Sequence, residues 1–115
     1  MKINSKIYAF AIAALAFISC SESIKLQDEP NNKLALEEIR KEPKVKEAII
    51  TDANVLYITV EDDGTNRDGY ASYICEVLRE KKATTNLVKV VKVNSTHNNS
   101  NNAYGVLLGE SHCEN

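Results

Sequence analysis

The chain has 115 residues, enough for one domain at most. Its charged and apolar fractions, 26% and 43%, are ordinary for a globular protein. With a formal net charge of −2 it has no basic footprint, which argues against nucleic acid as a partner and against electrostatic adhesion to anionic lipid headgroups.

The N-terminus reads as an export signal. Lys2 and Lys6 form a short basic region, followed by the unbroken apolar run IYAFAIAALAFI from Ile7 to Ile18. A helix of that length spans about 18 Å, against a hydrocarbon core of roughly 30 Å, so it suits a signal-peptide core better than a transmembrane helix. The run closes on Phe17-Ile18-Ser19-Cys20. This segment resembles the lipobox of bacterial lipoproteins, in which small residues precede an invariant cysteine; Phe17 stands where leucine is usual. The resemblance implies acylation of Cys20 and removal of residues 1–19. Ser21 is not the aspartate that retains proteobacterial lipoproteins at the inner membrane, so the same resemblance favours the outer membrane in an organism that has one. Without Lys2 and Lys6 the remaining chain carries 16 acidic and 12 basic residues, a formal charge of −4. The expected membrane link is therefore lipid alone.

Residues 20–42 are expected to be the lipidated cysteine and a tether. Ser21 to Lys33 is polar and carries Pro30, Asn31 and Asn32, a composition that favours disorder. Leu34 to Ile39 has the pattern for a helical turn or two. Pro43 is placed to start a second short helix, with Val45, Ala48 and Ile49 at helical spacing. Asn54–Glu61, NVLYITVE, reads as a strand with one face of Leu56, Ile58 and Val60 and another of Val55, Tyr57 and Thr59. The polar turn Asp62–Asp68 leads to a helix over Tyr70–Lys82, capped by Thr65 or Asp68 and carrying an apolar stripe of Ala71, Ile74, Cys75 and Leu78. Leu87–Val93 reads as a second strand, Ser95–Asn102 as a polar loop and Ala103–Leu108 as a third strand.

This order predicts a small α+β domain of βαββ type over residues 43–115, preceded by a short helix. Its first two strands would pair in parallel across the long helix, and a hairpin would supply the third. Such a domain is near the lower size limit for a self-sufficient core. With Cys20 committed to lipid, Cys75 and Cys113 remain, and an even pair outside the cytoplasm reads as a disulfide.

No catalytic constellation emerges. Glu61-Asp62-Asp63-Gly64-Thr65 at a strand end resembles the first motif of haloacid-dehalogenase-type phosphatases, Asp-x-Asp-Gly-Thr. Here Glu61 occupies the nucleophile position, and its extra methylene displaces the attacking oxygen by about an ångström, enough to cost orders of magnitude in rate. The chain also has no room for that family's larger sheet and later motifs. The segment reads better as a turn with Gly64 at positive φ. It does not match an EF-hand loop, since the ligand spacing is wrong and Arg67 lies inside it. Glu110, His112, Cys113 and His97 have no zinc-ligand spacing, no CxxC pair is present, and an oxidised Cys113 has no thiolate to offer. The sequons at Asn94 and Asn98 read as composition. No metal or cofactor is expected.

Two functions follow as expectations. The first is a non-enzymatic envelope lipoprotein acting through contacts with another envelope protein. The alternative is a module binding a small molecule, ion or glycan through the Asp62–Asp68 loop, with Asp62, Asp63, Arg67 and Asp68 as the ligand groups and the neighbouring tyrosines beside them.

Overall fold

The computed structural model describes residues 24–95 and 104–114. Cys20, the leader, His97 and Asn98 lie outside them. A single 3-10 turn, Leu26–Asp28, precedes helix α1, Pro30–Ile39. Strands β1 (Glu47–Ile50) and β2 (Val55–Val60), helix α2 (Asp68–Glu80) and strands β3 (Leu87–Lys92) and β4 (Leu107–His112) follow. The sheet order is β1-β2-β3-β4. β2 and β3 are parallel across α2, while β1 and β4 pair antiparallel at the two edges. This is the small α+β domain with a short preceding helix that the sequence pattern implies.

Both helices cover the same face of the sheet. Leu36 and Ile39 of α1 and Ile74 and Leu78 of α2 pack on Leu56, Ile58, Val88 and Val90, all buried. The strands alternate accordingly: every second residue of β2 is fully buried and the intervening ones are half-exposed, the period-2 signature of a sheet with one covered face.

Four elements depart from the sequence-based expectation. Within the tether expected over 20–42, the helical turn or two expected over Leu34–Ile39 extends back to Pro30 as α1, whose Ala35, Leu36 and Ile39 enter the core. Pro30 occupies its first turn, where no N–H is needed, and the Glu29 carboxylate accepts the Asn32 N–H at 2.8 Å. The helix expected after Pro43 is strand β1. Ala48 and Ile50 are both buried, so the two-residue period wins over the helical spacing of Val45, Ala48 and Ile49. Helix α2 begins two residues early, with Arg67 at its N-cap and no side-chain cap bond; neither Thr65 nor Asp68 caps it. The last strand lies four residues later than expected. Gly109–His112, beyond the end of the expected strand, pairs with β3, Leu87 facing His112 and Lys89 facing Glu110.

The β4 shift brings Cys113 beneath α2. Cys75 and Cys113 form a disulfide, with Cα atoms 5.2 Å apart and a sequence separation of 38. In the chain-entropy account a loop of that size is worth about 4 kcal/mol. Replacing both cysteines by serine should therefore lower the urea midpoint by the equivalent of ~2–4 kcal/mol, with a larger m-value because the unbridged denatured chain is less compact. A midpoint within error of the parent would show that packing alone holds β4.

Candidate functional site

The loop between β2 and α2 brings together the expected ligand groups, Asp62, Asp63, Arg67 and Asp68; the three acids each hold a backbone N–H, and Arg67 is partly engaged, its buried Nε having no partner among the described residues. The Asp62 carboxylate accepts the Gly64 N–H at 2.9 Å, and Gly64 has φ +86°, the positive value the sequence implied. Asp63 accepts both the Thr65 N–H (3.0 Å) and the Thr65 hydroxyl (2.6 Å). Arg67 is 7% exposed. It donates to the Glu61 carbonyl at 2.8 Å and lies 3.4 Å from the Asp63 carboxylate. Asp68 accepts the Glu110 N–H of β4 at 2.9 Å. The acids thus act as turn formers, the role short acidic side chains commonly take where backbone N–H groups lack partners.

This loop is held from β4 by close packing. The register slips between Val90 and Val91, leaving Leu108 as the extra residue of a β-bulge, and its freed carbonyl accepts the Arg67 N–H at 3.1 Å. Gly109 follows. A Cβ there would strike the Arg67 carbonyl carbon and lie 2.5 Å from the Asp68 nitrogen. Only glycine lets the start of α2 approach β4 this closely. The hollow beside Arg67, lined by Lys44, Lys46, Glu61 and Asp63 among others, measures only about 230 Å³, below the ~300–1,000 Å³ of ordinary ligand pockets.

Tyr70, on the first turn of α2, buries a hydroxyl that has no hydrogen-bond partner among the described residues. Burial first, then the nearby Glu42 carboxylate, pushes its pKa up to about 12. Neighbouring Tyr73 is exposed and donates to Glu42 at 2.8 Å. Among the described residues, no three His, Cys, Asp or Glu side chains form a metal-holding group, and no helix is long and apolar enough to cross a membrane.

The larger feature is the sheet face that the helices leave open. Ile49, Val55, Tyr57 and Leu87 are half-buried there. The ends of the β3–β4 connection fold over part of it. Tyr104 packs on Tyr57 with ring centroids 4.4 Å apart, and Gly105 passes so close to Val91 that a Cβ would lie 3.3 Å from that side chain. Between Tyr104 and the β1 edge lies a groove of about 500 Å³, lined by Tyr57, Thr59, Ile49, Arg40 and Lys46 among others. The tyrosine–valine face of β2 is legible in its alternating sequence. Arg40 and Lys46 are not, because both lie where a tether and a helix start were expected. No protein-family model, curated protein or solved structure matches this chain.

Two outcomes test the loop. The Thr65 hydrogen bonds, foremost, and then the Arg67 charge hold the Asp63 carboxyl below its ordinary value. The loop order that Asp63 provides is then complete above the usual carboxylate range near ~3.9 and is lost only as the pH falls through the lowered value. The Thr65 amide resonance should report that lowered midpoint in an NMR titration; a midpoint at or above the free-carboxylate value would contradict the bonding. Separately, Gly109→Ala should destabilise the fold by about 2 kcal/mol or more in urea melts, because the obstructing atoms are backbone and cannot rotate away.

Proposed function

We propose that this protein is an exported envelope lipoprotein, held at a membrane by lipid on Cys20, that acts without chemistry of its own by docking another envelope protein on its open sheet face. The observation that carries the docking part is the asymmetry of the sheet. Two helices cover one face, while the other presents Ile49, Val55, Tyr57 and Leu87 at the surface. A row of apolar side chains bounded by charge is what an interface core and its rim require.

The export part rests on sequence. The basic start, the short apolar run and Phe17-Ile18-Ser19-Cys20 support it, although Cys20 lies outside the described residues. The Cys75–Cys113 disulfide suits an oxidising compartment. Ser21 supports the outer membrane where there are two. The loop Asp62–Asp68 is a poorer basis for function, since one oxygen of each of its aspartates is tied to its own backbone or to β4 and the hollow beside Arg67 is only about 230 Å³.

Both parts can be tested in cells. Cys20→Ala should abolish incorporation of a fatty-acid analogue and release the protein from the membrane fraction; continued labelling would refute the lipid anchor. A photo-crosslinking residue at Val55 or Leu87 should capture one discrete partner in the envelope, while the same residue at Glu76, on the outer surface of α2, should not. Equal capture from Glu76 would remove the open face as the docking surface.

A further inference from the structure

The groove at the β1 edge carries an inference that does not depend on the docking reading. Its volume of about 500 Å³ falls within the ordinary range for small-molecule sites. Its lining is sorted by chemistry. Tyr57 and Ile49 give an apolar floor, and the Tyr104 ring stands tilted at 41° to that of Tyr57. Arg40 and Lys46 supply two positive charges at the same groove.

Among the described residues, neither Arg40 nor Lys46 has a carboxylate within ion-pair distance, although the chain as a whole is acidic. Arg40 is also fixed in place. It follows the last residue of α1, and one guanidinium nitrogen donates to the Ala48 carbonyl of the edge strand at 2.7 Å. A guanidinium has five N–H donors in a rigid fork, so an anchored arginine still has donors to offer an anion. Thr59, also in the lining, has a buried hydroxyl oxygen with no partner among the described residues. Glu47 is the one carboxylate in the lining, and it opposes an anion.

We propose that this groove binds a small organic acid, with its carboxylate or phosphate held by Arg40 and Lys46 and its planar apolar body laid on Tyr57 beside Tyr104. Aromatic rings favour offset or tilted contact with another flat ring, and the cations favour an acidic group at one end. Neither the sheet face alone nor the charges alone would select such a ligand; the groove places them together.

NMR titration of the isotope-labelled full chain with phenylacetate, phenyl phosphate and neutral phenylacetamide tests this. One or both acids should shift the resonances of Ile49, Tyr57 and Tyr104 with dissociation constants on the order of millimolar, as ligands of about ten heavy atoms allow. The acid that binds more tightly identifies the head group. Phenylacetamide should bind at least about fivefold more weakly than phenylacetate if the charge contributes as a partly exposed ion pair does. Lys46 makes no side-chain hydrogen bond among the described residues, so Lys46→Gln should keep the fold, seen as an unchanged melting midpoint, while weakening acid binding by about fivefold. Glu47→Gln should strengthen it. Phenylacetamide binding as tightly as the acids, an affinity unmoved by Lys46→Gln, or no shift at about 20 mM of either acid would each overturn the proposal.

Discussion

One buried amide ties together the parts of this fold that are remote in sequence. Asn32 is 0% exposed, and its side chain makes three hydrogen bonds. It donates to the Leu26 carbonyl and the Thr84 hydroxyl, both at 2.9 Å, and accepts the Thr84 N–H at 2.7 Å. Thr84 passes the network on to the Asn54 carboxamide oxygen at 3.0 Å, and Asn54 returns a bond to the Thr84 carbonyl at 3.1 Å. Helix α1, the β1–β2 turn and the α2–β3 connection thus meet at one point. A buried amide with its groups paired contributes only modestly in net terms, but removing it would leave the Thr84 N–H without its acceptor, and that loss is the larger quantity. Asn54 adds a backbone role, since its φ of +67° lies in the left-handed region that asparagine tolerates better than most residues.

The opposite end of the domain is fixed by geometry. The bulge at Leu108 releases a carbonyl for the Arg67 N–H, Gly109 removes the side chain that would block the approach, and Asp68 reaches back to the Glu110 N–H. Three residues beyond Glu110, the disulfide joins the end of β4 to the middle of α2. Ser72 and Ser111 lie between these fastenings, their hydroxyls 3.0 Å apart. A polar edge strand such as LLGESH has little apolar area with which to hold itself against the sheet. Bonds and close contact supply what burial does not.

This division explains how far the sequence alone could be read. β2, α2 and β3 were legible because each is amphipathic or fully apolar at its own period, and the core they build needs no information from elsewhere. β1 was not, and α1 and β4 were only in part, the helix over Leu34–Ile39 and the strand over Leu107–Leu108. The residues of α1 that suggested disorder, Pro30 and Asn32, are its first-turn residue and its buried anchor, and only the distant Thr84 makes the second role visible. β1 is four residues long, too short for its period to compete with the helical spacing around it. β4 is defined by what it touches, and nothing in Gly109-Glu110-Ser111-His112 announces a strand. The pairing of Cys75 with Cys113 could be read from count and compartment, whereas the shift of β4 that makes it reachable could not. The turn between β2 and α2 was legible as a turn, but that its acids bond their own backbone and β4 is a property of geometry. The groove lay beyond sequence reading altogether, since Arg40, Lys46 and Tyr104 come from three separate segments.

Placing both helices on one face leaves the composition of the other face to be explained. On the covered side the strands contribute almost wholly aliphatic residues; on the open side they alternate between apolar and charged neighbours. Tyr57 stands beside Lys89, whose ammonium lies 6.0 Å from the ring centroid, and Lys89 faces Glu110 across the next pair. Val55 stands beside Leu87, and Leu87 faces His112. The β3–β4 connection buries Val91 fully but leaves Tyr104 47% exposed. Long charged side chains bordering apolar ones keep such a face soluble when it is alone, because their stems cover apolar surface while their heads stay in water. Tyrosine, isoleucine and valine also serve the sheet itself, because β-branched and aromatic side chains suit a half-buried pleated surface and stabilise it in cross-strand pairs such as Ile49–Tyr57 and Val55–Leu87.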